Sequence, residues 1–210
     1  GDIFATGVTT STTFVGTLDG AIKSDSANNV KAGTTALDSL TTGSSNVAVG
    51  QNALTTNTTG AENVAVGNNA MQLNTTGASN VAVGRDALVN NTTASNNVAI
   101  GALALNDNTT GTSNNAVGKQ ALAVNTTATG NNAFGMQSLL SNTTGAQNTA
   151  IGHNALQQNT TANYNTACGN QALEQNTTGT TNVAVGAFAL QQNTTGGSNT
   201  SIGYSALDAN

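Results

Sequence analysis

The chain has 210 residues, of which 6% are charged and 3% aromatic, with no Trp, no Pro and one Cys. A formal net charge of −5 and four scattered basic residues (Lys23, Lys31, Arg85, Lys119) provide no basic stripe to follow phosphates, so no nucleic-acid partner is expected. No apolar run reaches the length of a membrane span and no signal-peptide pattern is present, so no membrane insertion is expected.

Residues 1–28 form an N-terminal fibre or linker segment. Within it, "ATGVTTSTTFVGTLDG" (Ala5 to Gly20) is rich in Thr and Val with Gly punctuation, the pattern of short strands in a fibrous β region. From Asn29 the sequence changes character. Gly recurs at 33, 50, 67, 84, 101, 118, 135, 152, 169, 186 and 203, a strict period of 17 residues. Asn stands four residues before each of these glycines. Ala stands two before it except at Lys31 and Ser201, and an apolar residue directly before it. Ala (Ser138 once) follows at three and Leu or Met71 at four, then a turn reading Asn-Thr-Thr-Gly. The pairs directly after Gly are polar and varied, as solvated positions are.

A period of 17 is too short for a coil carrying a helix and fits two strands of about five residues joined by tight turns. A chain without Pro suits strands that must donate hydrogen bonds to both neighbours. Residues 29–210 are therefore expected to be all-β, a parallel β-solenoid of eleven 17-residue repeats. Stacked at ~4.8 Å, the coils would make a rod on the order of 50 Å long. The strict Gly predicts a positive φ or a corner with no room for a Cβ. The Gly of the Asn-Thr-Thr-Gly turn is replaced by Ala94, Ala128 and Ala162, so that position needs smallness rather than a left-handed backbone. Corner Asn and Thr are expected to hydrogen-bond their own copies above and below. Nine Asn-Thr-Thr triplets match a glycosylation sequon, but a buried corner Asn would not be glycosylated. The chain opens without Met and ends at Asn210, where the register calls for a new Asn-Thr-Thr, as a piece of a longer chain would.

Neighbouring strand residues point to opposite faces. Ala48 and Val49 are adjacent, as are Ala53 and Leu54, and all four columns stay apolar. One face can fill the coil interior; the other calls for a second chain. An oligomeric rod follows, with a homotrimer as the expected state.

Chemistry is sparse. His153 lies in an exposed column with no ligand-spaced Cys, Asp or Glu, and Cys168 replaces Val in an apolar column, as a small buried hydrophobe would. No nucleophile–base pair can be assembled from them. Asp86, Asp107, Glu62 and Glu174 share no column at adjacent coils, so no glycosidase-type carboxylate pair is expected. No catalytic residue, metal site or cofactor is assigned, and the chain is read as non-enzymatic. Leu103, Met136, Phe188 and Tyr204 interrupt the polar columns and Tyr164 a turn; local packing or contact between chains accounts for them, against the alternative of a receptor contact. No receptor-binding residue is singled out.

"NVAVG", "NVAIG" and "NTAIG" followed by x-x-Ala-Leu resemble the head repeats of YadA-like trimeric autotransporter adhesins over residues 29–210. That resemblance implies a left-handed parallel β-roll with three chains around one axis. The period here is longer, and Asn directly precedes Val. The array "NTAIGHNAL…NTT" and the Ala5–Gly20 segment resemble bacteriophage tail fibres, especially those of marine and cyanobacterial phages. This second resemblance implies a virion tail-fibre segment involved in host attachment. Its partners would be other tail proteins and a host surface receptor, a glycan among the candidates. The alternatives are an adhesin head on a bacterial surface and an ice-binding solenoid. Against ice binding, adjacent Thr58 and Thr59 face opposite ways and leave a single outward file.

Overall fold

The computed structural model describes residues 23–208; the expected strands of Ala5 to Gly20 lie outside them. The described residues form a parallel β-solenoid without a helix. Its sheet begins with β1 (Lys23–Ser24), antiparallel to β2 (Val30–Ala32), and continues through β3 (Val47–Val49) and nine further strands to β12 (Thr200–Ile202). From β2 onward every pair is parallel and in register, each residue lying on its copy 17 positions away: Val47 on Val64, Ala48 on Ala65, Val49 on Val66. Alternating β-branched residues around a small Ala favour this short extended segment.

Each coil holds one three-residue strand rather than the two of about five residues expected. The reason lies in the backbone. Asn52 (φ +58°) and Leu54 (φ +51°) are left-handed, and this recurs in every coil, so the stretch after the strict Gly winds through turns. It remains bonded to both neighbours, with Asn52 N donating to Thr34 O and Leu54 N to Ala70 O. Internal turns such as Ala53 N to Gly50 O complete it. The left-handed Leu also breaks the alternation assumed for Ala53 and Leu54. Both are fully buried in one interior, and neither faces a second chain. A left-handed non-Gly residue costs about 1–2 kcal/mol, and burying a Leu side chain returns about 1.5–3 kcal/mol. The conformation is affordable only while the stack is intact.

The interior is thus three apolar columns, those of Ala48, Ala53 and Leu54, flanked by two columns of buried Asn. The strict Gly meets both expectations at once. Its φ runs from +129° to +145°, and a Cβ on Gly101 would lie 2.6 Å from the backbone of Gly118 in the next coil. At Gly60 no positive φ occurs, in keeping with Ala at the equivalent positions.

Candidate functional site

The two Asn columns close the corner of each coil. In the Asn46 column, Asn114 donates from its backbone N–H (2.9 Å) and its Nδ2 (3.3 Å) to Asn97 Oδ1, while Asn97 Nδ2 donates to Gly111 O at 2.9 Å. In the Asn57 column, Asn125 Nδ2 donates to Asn108 Oδ1 at 2.9 Å, and Asn108 Nδ2 donates to the same Gly111 O at 3.0 Å. One carbonyl therefore receives an amide from each ladder, coil after coil. Among the described residues no buried Asn nitrogen or oxygen lacks a partner. These Asn of the nine sequons are buried with their nitrogens engaged, the environment expected from sequence.

The Thr pair divides. Thr58 is half-buried and its Oγ1 donates to Thr75 O, a bond repeated along its column. Thr59 and its copies form one exposed file. Where Ala replaces the turn Gly, the corner loosens. Thr59, Thr76, Thr110 and Thr144 each donate a backbone bond to the next coil, whereas Thr93, Thr127 and Thr161, which precede Ala94, Ala128 and Ala162, do not. A Cβ on Gly60 would press on Asn57 Oδ1 and Gly77 O. The three alanines are accommodated by this relaxation.

Among the described residues the strand's outward side chains make an extended, largely apolar face. They are the columns of Val47 and Val49, with Ala48 between them pointing inward. The Val49 column remains apolar throughout and is open to solvent in the single chain, with Ile100 at 40%, Phe134 at 42% and Ile151 at 45% exposure. The Val47 column is Val through Val98, then Asn115, Asn132, Thr149 and Thr166, then Val183 and Thr200. Asn115 Nδ2 donates to Asn132 Oδ1 at 2.8 Å on this face. No residue of either column is charged.

The singled-out residues stay apart. Cys168 lies on the outward face, half-buried rather than buried as expected, because its column points away from the interior. His153 Nδ1 is 3.3 Å from Asn170 Nδ2. Asp86 is held by Arg85 and Asn69, Asp107 by Asn90, Glu62 by Ser79, and Glu174 by Gln171 and Gln191. Among the described residues no three His, Cys, Asp or Glu are grouped to hold a metal, and no helix is long and apolar enough to cross a membrane. Phe188 and Tyr204 pack edge to face with centroids 5.6 Å apart, a local contact, while Met136 and Tyr164 stay exposed.

Sequence reasoning missed Asp25. Its Oδ1 accepts the N–H of Ala27 (2.9 Å) and of Asn29 (3.0 Å), and Asn29 Nδ2 reaches both carboxylate oxygens. The backbone N–H and then the side-chain amide of Asn29 hold its pKa below the usual carboxylate value. The signal was available as an Asp four residues before the first ladder Asn. Compared with family models, with curated proteins and with solved structures, the chain matches none of them.

Proposed function

We propose that this chain is a shaft segment of a bacteriophage tail fibre, assembled as a homotrimer, which carries or forms part of the surface used for host attachment. The observation that carries the proposal is the outward face of the sheet. Two uncharged columns, largely β-branched, run the length of the solenoid, the Val49 column half-buried to exposed and the Val47 column mostly half-buried in the single chain. An apolar face of this extent is a mark of an interaction surface. Three copies around one axis would bury it while leaving the polar columns and the Thr59 file outside. The location follows from the fibre assignment: the virion, with other tail proteins at the ends and a host surface receptor as target. The chain acts by architecture, without catalysis or a cofactor.

Support also comes from the regularity of the coils. The strand pairing repeats from coil to coil and each coil bonds only its neighbours, so the length of the solenoid is set by the number of repeats, as a spacer requires. The single exposed Thr file and the apolar face opposed to solvation disfavour an ice-binding role. The test is the mass of the folded chain by light scattering across a concentration series. Three chains per particle is the expected result; a stable monomer with full β-structure would overturn the proposal.

A further inference from the structure

The first coil departs from the repeat at four places, and all four act on the same edge. Asp25 stands where a preceding coil would offer an Asn. Asn46 donates its N–H to Asn29 Oδ1 at 2.8 Å and its Nδ2 at 3.0 Å; Asn29 makes the equivalent two bonds to the Asp25 carboxylate. Lys31 occupies the Ala48 column, where nine coils place Ala, and its ammonium pairs with Asp38 at 3.6 Å. Leu40 takes the place of Asn57 and packs against the core, so the second ladder begins at Asn57, whose Nδ2 bonds only Gly60 O. Above these, β1 folds back antiparallel across β2 through a turn closed by Asn28 N to Asp25 O.

The ladders explain why such an edge needs closing. In the Asn46 column every backbone N–H from Asn46 onward donates to the Oδ1 of its N-terminal neighbour, so an unclosed N-terminal edge would leave the Asn29 N–H without an acceptor. An open sheet edge also templates pairing with another chain, and natural sheets block it with Lys, inward-pointing charge or a covering segment. Two of these devices are present here, Lys31 and the covering strand β1. We propose that residues 25–40, with β1, are a terminal cap. It satisfies the N-terminal end of the Asn ladder and blocks end-to-end addition of another solenoid at that edge. The cap goes beyond the fibre assignment and holds whether the chain is single or trimeric.

Hydrogen exchange on the full chain tests the first half. In the wild type the amides of Asn29 and Val30 are expected to be protected. Asp25→Ala should speed their exchange by about five- to tenfold, the loss of a cap, while Asn115 to Val117 stay unchanged and report an intact rod. Asp25→Asn keeps an acceptor oxygen and should retain most of the protection. Wild-type Asn29 exchanging as fast as the Ala variant would overturn the cap. Sedimentation velocity tests the second half. Asp25→Ala combined with Lys31→Ala and Leu40→Asn returns the edge to the repeat pattern, and should give species that lengthen with concentration where the wild type does not. Identical sedimentation of the two proteins would overturn the block.

Discussion

Asn97→Ala isolates what the buried ladders contribute. The substitution removes three bonds: Asn97 Nδ2 to Gly111 O, and the two that Asn114 donates to Asn97 Oδ1. Gly111 O keeps Asn108 and Asn114 Nδ2 keeps Ala128 O, so those partners are weakened without being orphaned. The backbone N–H of Asn114 loses its acceptor in a fully buried site. An orphaned buried donor costs about 1–3 kcal/mol, two further bonds about 1 kcal/mol each, and the small void left by a truncated side chain about 1 kcal/mol. The expected loss is about 4–6 kcal/mol. Asn97→Asp separates bonding from size: the carboxylate can still accept from Asn114, but it turns a buried charge toward Gly111 O, and it should be at least as damaging at neutral pH. Thr93→Ala in the exposed file is the control, expected within about 0.5 kcal/mol of wild type. Denaturant unfolding of the full chain gives the global effect, and exchange of the Asn114 amide gives the local one. A loss below about 1 kcal/mol with the Asn114 amide still protected would refute the ladder's role.

The two classes of glycine should behave differently. Gly101→Ala forces a Cβ onto a φ of +130° and against Gly118, and should cost about 3 kcal/mol or more. Gly111→Ala should cost about 1 kcal/mol or less, because Ala94 shows how the turn relaxes by releasing the Thr93 bond; equal melting shifts would contradict this. Val83→Asp on the outward face should reduce the scattering mass from three chains to one with the circular dichroism preserved, and an unchanged mass would contradict burial of that face. The Asp25 carboxylate has a folded pKa held below its unfolded value, so its contribution is present above the ordinary carboxylate range and is lost as pH falls through the lower folded value. Protection at Asn29 should therefore fade below pH about 4 while that of Asn148, bonded to the neutral Asn131, persists; parallel loss at both sites would contradict the assignment.

The period of 17, the apolar columns and the difference between the two glycines were legible because a solenoid repeats its environment in sequence. Each column reports one site many times, so variety marks solvent and constancy marks constraint. The sequence likewise carried the ladder at the Asn57 corner, since only stacked copies give a reason for an invariant polar residue. The strand count was not legible. Alternation assumes extended backbone, and Leu54 in a left-handed conformation places two adjacent residues in one interior. No local propensity announces a left-handed Leu; the neighbouring coils impose it through Ala70 O and the packing of the Leu column. The doubly accepting carbonyl of the Gly60 column and the Asp25 cap were hidden for a related reason. Both join residues across a turn, where the partner is fixed by the path of the chain and not by spacing along it. The sequence by itself determined the repeat, its apolar columns and the smallness of its corners, because those are demands made once per coil. The tertiary structure alone decided the path between them, because only the stacked neighbours supply the hydrogen bonds and burial that make a left-handed backbone stable.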